Sequence, residues 1–131
     1  MNALVIDDSR VMRKLLRGLL EGCGFAVADA ADGEAGIQAL AAGTPPELIL
    51  LDWNMPGMSG IDVVRHLRAD ARFARTRIVM VTTETSVARM TEALVDGADE
   101  YLMKPFVREA LVEKLRLVGL PVGSASPGDG P

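Results

Sequence analysis

Five short apolar runs, separated by longer amphipathic stretches, constrain the fold of this chain more than any other feature of its sequence. The runs lie at residues 3–6, 25–28, 48–51, 78–81 and 101–103. The central runs are continuously apolar, which is typical of strands that are buried on both faces. Strands that alternate with helices form βα units with right-handed crossovers. The sequence therefore predicts an α/β fold, a doubly wound five-stranded parallel sheet with helices on both faces.

The stretches between these runs predict five helices. The first places its apolar residues on one stripe, follows the N-cap Ser9 and ends at Gly22 and Gly24; the stripe comprises Val11, Met12, Leu15, Leu16, Leu19 and Leu20. The second helix follows Asp32, and Ser59 caps the third. Inward residues are expected at Val87, Met90 and Leu94 in a fourth helix capped by Thr85 or Ser86, and at Val107, Leu111 and Leu115 in a fifth that begins near Phe106.

Composition excludes several functional classes. The net charge of −4 and the pI of about 4.9 disfavour nucleic-acid binding, which requires clustered basic residues. No apolar run approaches the ~20 residues that span a bilayer, and no signal-peptide pattern begins the chain, so we expect a soluble cytoplasmic protein without a membrane partner. The single cysteine, Cys23, cannot form an intramolecular disulfide.

The last thirteen residues differ in composition from the rest of the chain. Nine of residues 119–131 are Gly, Pro or Ser. Such a segment cannot bury enough apolar surface to offset the loss of chain entropy on ordering. We predict a globular domain over residues 1–118 and a disordered tail over residues 119–131, either an ordinary terminus or the start of a linker.

Polar residues follow four of the five predicted strands. Asp7 and Asp8 follow the first strand, Asp52 the third, Thr82 the fourth and Lys104 the fifth. Function in parallel α/β sheets gathers at the carboxyl ends of the strands, and these ends share one edge of the sheet. Taken singly, each acid is more typical of a helix cap or a turn, and the lysine of a solvated surface. Their placement at successive strand ends predicts a common site.

This combination of groups suits phosphoryl transfer. Three neighbouring carboxylates repel one another unless a cation is present, and Mg²⁺ prefers such oxygen ligands. A transferred phosphoryl group spreads charge over three oxygens, which a metal ion, Lys104 and the Thr82 hydroxyl can contact. Asp52, on a central strand, is the expected nucleophile, because a carboxylate can form an aspartyl phosphate.

Four segments carry a resemblance to a known family. VIDDS at residues 5–9, LDWNMP at 51–56, MVTTE at 80–84 and YLMKPF at 101–106 occur in the order and spacing of response-regulator receiver domains. Over residues 1–118 the chain resembles most closely the single-domain, CheY-like chemotaxis type. The resemblance implies a flavodoxin-like (βα)5 fold with strand order 2-1-3-4-5.

The resemblance also implies residue roles. Asp52 is similar to the phospho-acceptor, and Lys104 to the residue that pairs with the phosphoryl group. Mg²⁺, or Mn²⁺ in its place, would be held by Asp8 directly, Asp7 through water, Asp52, and the backbone carbonyl of Asn54. Thr82 and Tyr101 are similar to the switch pair, in which the hydroxyl approaches the phosphoryl group and the aromatic ring turns inward. The resemblance also implies a cis peptide bond at Lys104-Pro105.

A member of this family is a signalling switch rather than an enzyme in the usual sense, although it catalyses its own phosphotransfer and dephosphorylation. The implied partners are a histidine kinase, a downstream protein bound through the fourth helix, fifth strand and fifth helix, and a phosphatase. One departure is Ser86-Val87, where the chemotaxis type carries basic residues.

Three alternatives remain open. The first is an interaction module that works without phosphorylation, and the second is the receiver fragment of a longer regulator. The third is a flavodoxin-like electron carrier or other enzyme, although the chain has no nucleotide-binding glycine loop after its first strand.

Overall fold

The computed structural model describes residues 1–122 and contains one parallel sheet with the strand order β2-β1-β3-β4-β5. The strands are β1 (Asn2–Ile6), β2 (Ala26–Ala30), β3 (Leu48–Leu51), β4 (Arg77–Thr82) and β5 (Glu100–Met103). The helices are α1 (Arg10–Gly22), α2 (Gly33–Ala41), α3 (Gly60–Arg68), α4 (Val87–Asp96) and α5 (Arg108–Leu117), and a short 3-10 turn spans Ala71–Phe73. The predicted α/β fold and strand order are confirmed.

Two apolar clusters, one on each face of the sheet, form the core. Strand β3 is fully buried, and its alternate residues point into opposite clusters. One cluster joins the sheet to α1 and α5 through Leu16, Leu20, Leu111 and Leu115. The other joins it to α2, α3 and α4 through residues that include Leu40, Val64 and Ala93. The continuous apolar runs thus correspond to strands covered on both sides, as predicted.

Side-chain caps set the predicted helix starts. The Ser9 hydroxyl accepts from the Met12 amide at 3.1 Å, and the Asp32 carboxylate accepts from the Ala35 amide at 2.8 Å. At α3 the Ser59 amide donates to the Asp62 carboxylate at 3.2 Å. Ser86, one of the two candidates, caps α4. These four helices therefore begin where polar side chains satisfy backbone amides at their starts, whereas α5 follows Val107 and has no side-chain cap.

Three helices bury a narrower stripe than the sequence predicts. In α1, two of the six apolar residues are exposed, Val11 and Leu15. Val87 and Leu94 of α4 are also exposed, as is Val107, the residue before α5. The expectation that these five face the core is wrong. A helix that packs on a sheet contacts it only along the narrow strip of residues that faces the sheet. Residues on this strip, such as the i, i+4 pair Leu16 and Leu20, are buried, whereas apolar residues at either side of it remain exposed to solvent.

The packed chain extends beyond the predicted domain boundary at residue 118. Val122 is 1% exposed and belongs to the cluster beneath α1 and α5, where Leu120 also packs. The Arg116 side chain donates to the Val122 carbonyl at 3.1 Å. The first four residues of the predicted tail are therefore docked, because two of them are apolar. Residues 123–131 lie outside the described residues.

The helices of residues 1–122 include none that is long and apolar enough to cross a membrane.

Candidate functional site

The carboxyl edge of the sheet brings the predicted acidic residues together. Asp7 follows β1 and Asp52 follows β3, and these strands are neighbours in parallel register. The backbone continues the pairing past the strand ends, because the Asp52 amide donates to the Ile6 carbonyl at 3.0 Å and the Asp7 amide to the Ala30 carbonyl at 3.2 Å. The position of both carboxylates is thus fixed by sheet hydrogen bonds rather than by a free loop.

Asp7, Asp8 and Asp52 form a compact acidic cluster. One carboxylate oxygen from each lies within 4.8 Å of the others. Asp7 and Asp52 are buried, whereas Asp8 is exposed and opens the cluster to solvent. Three such oxygens, one of them accessible to water, match the ligand preference of a hard divalent cation that keeps part of its hydration shell. The donor set present therefore fits a magnesium-type ion.

Lys104 is the cation that partly neutralises this cluster. Its Nζ donates to Asp7 Oδ2 at 2.7 Å and to Asp52 Oδ2 at 3.2 Å, and its side chain is largely buried. Burial alone would lower the pKa of Lys104, but its hydrogen bonds to the two carboxylates, together with their negative charges, raise that pKa above its ordinary value. Lys104 is therefore charged at neutral pH. The Lys104-Pro105 bond is cis, as the resemblance implies.

Asp7 and Asp52 also accept hydrogen bonds from nearby backbone amides. The Ser9 amide donates to Asp7 Oδ1 at 2.9 Å, and the Asn54 amide donates to Asp52 Oδ1 at 3.3 Å. Each buried carboxylate thus has one oxygen held by an amide and the other by Lys104. These hydrogen bonds replace part of the hydration that the two carboxylates lose on burial.

Gly60, which is absent from the predicted site, sets how closely α3 approaches Asp52. A Cβ atom at this position would lie 2.3 Å from the Asp52 carbonyl oxygen and 2.8 Å from the Trp53 Cα. Its amide donates to the Trp53 carbonyl at 2.8 Å. Any larger residue would push the backbone that carries the Asp52 carboxylate. A glycine after a helix N-cap is a weak sequence signal, since its role depends on a contact between separate segments.

Thr82 and Tyr101, the predicted switch pair, both contact the backbone of Glu84. The Thr82 hydroxyl accepts from the Glu84 amide at 3.2 Å and is fully buried. The Tyr101 hydroxyl donates to the Glu84 carbonyl at 2.8 Å, and its ring points inward. Burial, together with the charges of Glu84 and Asp52, raises the pKa of Tyr101 to about 12. The two residues are therefore connected through one residue of the loop between β4 and α4.

Arg89 on α4 reaches the same loop and is also absent from the predicted site. Its guanidinium lies 5.7 Å from the centre of the ring of Trp53, the residue after Asp52, and its Nη1 lies 3.3 Å from Glu84 Oε1. The arginine thus connects α4 to the loop after β3, which carries Trp53, and to the loop after β4, which carries Glu84. Its position three residues after the Ser86 cap places it on the first turn of α4, but the direction of so long a side chain has no sequence signal.

Comparison with known proteins identifies the family. The model of the response regulator receiver domain matches residues 3–116. The chain is 39% identical over 121 residues to the chemotaxis protein CheY1 of Helicobacter pylori, covering 90% of this chain and 96% of that protein. It is 38% identical over 119 residues to the chemotaxis protein CheY of Pseudomonas aeruginosa, with 90% and 95% covered.

A solved structure agrees with this assignment. The chemotaxis protein CheY4 of Vibrio cholerae superimposes with a TM-score of 0.83 at 34% identity, covering 89% of this chain and 97% of that one. The family match, the shared fold and the converged acids and lysine agree with one another. The chain belongs to the response-regulator receiver domains, the signalling switches of two-component systems.

Proposed function

We propose that this protein is a cytoplasmic chemotaxis response regulator that accepts a phosphoryl group on Asp52 from a partner histidine kinase, with Mg²⁺ as cofactor. The observation that carries the proposal is the position of the Asp52 carboxylate. It shares the Lys104 ammonium group with Asp7, and one of its oxygens lies within 4.8 Å of a carboxylate oxygen of Asp7 and of Asp8. An aspartate that only capped a helix or a turn at the end of a strand would need neither the lysine nor the other carboxylates beside it. The similarity to chemotaxis proteins supports the pathway.

The metal site would consist of Asp7, Asp8, Asp52 and the Asn54 carbonyl. The Asn54 side chain is exposed, and its backbone already adjoins Asp52, so a role for its carbonyl does not depend on its side chain. Bound Mg²⁺ would neutralise the acidic cluster and the charge of the incoming phosphoryl oxygens. Mn²⁺ prefers similar oxygen ligands and would serve in its place.

In the transfer step, an Asp52 carboxylate oxygen attacks phosphorus and forms the acyl phosphate bond. The bond from phosphorus to the histidine nitrogen of the kinase breaks, and the imidazole keeps its electron pair. Lys104 then bonds a phosphoryl oxygen instead of Asp52 Oδ2. Water later cleaves the acyl phosphate and regenerates Asp52, a reaction that the receiver catalyses itself and that a phosphatase partner would accelerate.

The added charge would act through Thr82. A phosphoryl group brings roughly 1.5 to 2 negative charges. The Thr82 hydroxyl accepts from the Glu84 amide in the structure, so its own proton is free to be donated to a phosphoryl oxygen. Any displacement of Thr82 moves the Glu84 backbone, which also holds the Tyr101 hydroxyl. The change would thus reach β5 as a shift between two conformations.

The output surface is α4, β5 and α5. Large apolar side chains of α4, of α5 and of the residue before α5 are exposed: Val87, Leu94, Val95, Val107 and Leu117. Exposed apolar residues in a cluster mark interaction sites. A downstream protein is the expected occupant, with its affinity set by the state of Asp52.

The test uses Trp53, the only tryptophan, which adjoins Asp52 and is 5% exposed. We would titrate Mg²⁺ and then acetyl phosphate while recording Trp53 fluorescence, and measure the intact mass afterwards. The expected result is a response to both reagents and a mass increase of one phosphoryl group. Asp52→Asn keeps the shape of the side chain and should lose the mass increase. If folded wild-type protein responds to neither reagent, the receiver fold serves here as a scaffold without phosphorylation.

A further inference from the structure

Strand β2 forms one open edge of the sheet, and its hydrogen bonds show which of its groups face outward. The Ala26 amide donates to the Met1 carbonyl at 2.8 Å, and the Ala30 carbonyl accepts from Asp7 at 3.2 Å, so residues 26, 28 and 30 face β1. Alternate residues of a strand direct their backbone groups to opposite sides. The amides and carbonyls of Val27 and Asp29 therefore point away from the sheet.

Arg17 of α1 closes this edge. Its Nη1 donates to the outward carbonyl of Val27 at 2.5 Å, and its Nη2 lies 3.2 Å from the Asp29 carboxylate. Glu21, one turn later on α1, lies 3.8 Å from the same guanidinium and helps to hold it in place. A charged side chain thus occupies the position that the amide of an added strand would need.

The opposite edge has a comparable arrangement. The Lys104 amide donates to the Thr82 carbonyl at 2.9 Å, so the backbone of Tyr101, three positions earlier, points to the open side of β5. The Tyr101 amide donates to the Glu100 carboxylate at 2.8 Å, and Lys114 of α5 holds that carboxylate at 3.2 Å. At each edge, one member of an ion pair between a strand residue and a helix residue forms a hydrogen bond with an outward-facing backbone group.

The sequence of β2 itself has one protective charge, Asp29, which its ion pair with Arg17 offsets. Native edge strands avoid pairing by means of lysine, proline, bulges or a covering segment. The strand AVADA contains no lysine and no proline, and Ala26 and Ala28 are exposed. Its outward groups are self-complementary: in an antiparallel pair centred on Ala28, Val27 of each copy faces Asp29 of the other, and both pairs exchange amide and carbonyl bonds. In such a pair each Asp29 lies opposite Val27 and not directly opposite the other Asp29.

We propose that Arg17, by bonding the Val27 carbonyl and the Asp29 carboxylate, prevents the β2 edge from pairing with the β2 edge of a second copy of this chain. Arg17→Ala frees the Val27 carbonyl and removes the positive partner of Asp29. Lys14→Ala is the matched control, since Lys14 is an exposed cation on the same helix with no hydrogen bond or ion pair to residues 1–122. Arg17→Met keeps the apolar stem and tests the charge alone.

The experiment is sedimentation velocity from micromolar to millimolar concentration, with circular dichroism to verify folding. Arg17→Ala and Arg17→Met should dimerise with an apparent dissociation constant about tenfold or more below that of wild type, the weight of a charge-assisted hydrogen bond. Amide exchange at Val27 and Asp29 should slow as the dimer forms. Lys14→Ala should behave as wild type.

A second substitution locates the association. Val27→Pro removes an outward amide without touching the bonds to β1, so Arg17→Ala/Val27→Pro should return to the monomer. Folded Arg17 variants that associate no more than Lys14→Ala would overturn the proposal, and so would association that persists with Val27→Pro.

Discussion

Replacing Gly60 by alanine tests whether the loop that carries Asp52 and Trp53 depends on the close approach of α3. The new Cβ would lie 2.3 Å from the Asp52 carbonyl oxygen, 2.8 Å from the Trp53 Cα and 3.0 Å from the Asp52 carbonyl carbon. All three are backbone atoms, so no side-chain rotation relieves the clash, and α3 or the loop must shift by roughly 1 Å. Overpacking of this kind costs about 1–3 kcal/mol.

Part of that cost is offset by the gain in helix propensity. Alanine stabilises a helix by about 0.5–1 kcal/mol relative to glycine. We therefore expect a net loss of up to about 2.5 kcal/mol, which for a domain of this size lowers Tm by up to about 10 °C. The shift also displaces the Asp52 backbone, so the Trp53 fluorescence response to Mg²⁺ should weaken.

Gly18→Ala is the matched control. Gly18 lies within α1, and a Cβ there meets no atom within 4 Å. The same substitution should therefore raise the free energy of unfolding by about 0.5–1 kcal/mol. Both variants would be measured by thermal and urea unfolding. A Gly60→Ala protein as stable as Gly18→Ala, with an unchanged response to Mg²⁺, would refute the argument.

Three further predictions concern charged and titrating groups. Because the pKa of Lys104 is raised in the folded protein, its ion pairs contribute fully to stability below the pKa of an unfolded lysine, roughly 10.4. This contribution is lost as the pH rises through the higher folded pKa. The difference in urea stability between wild type and Lys104→Met should therefore stay constant from neutral pH to about pH 9 and shrink above roughly pH 10.4. Tyr101, the only tyrosine, should ionise at about pH 12 when its absorbance is followed. Because the folded protein holds this proton more tightly than the unfolded chain, the free energy of unfolding should fall between roughly pH 10 and 12, by at most about 1.4 kcal/mol per pH unit. Ionisation at an ordinary phenol pKa would contradict the inward position of the ring. Arg89→Gln should change Trp53 fluorescence with a loss of stability below about 1 kcal/mol, whereas an unchanged emission spectrum would show that the guanidinium does not lie over the ring.

Much of the fold and most of the site were predictable because they depend on short-range signals. A continuous apolar run such as residues 48–51 is typical of a strand covered on both faces, and this is what the structure shows. Once the strands are parallel, their carboxyl ends must share an edge, so Asp7, Asp52 and Lys104 converge although 45 and 52 residues separate them along the chain. Local capping residues likewise determine where α1 and α4 begin.

Only the tertiary structure decided the contacts that depend on how separate elements pack. Periodicity shows which side of α1 is apolar but not how wide its contact with the sheet is, so the exposure of Val11 and Leu15 was not predictable. The directions of Arg17 and Arg89 are set by neighbours distant in sequence, since a long side chain has many rotamers of similar energy. The need for glycine at position 60 arises from the distance between two backbones, a quantity that no local pattern encodes. The sequence by itself thus determined the elements and the chemistry at their ends, whereas the packing of those elements decided which further residues act on the site.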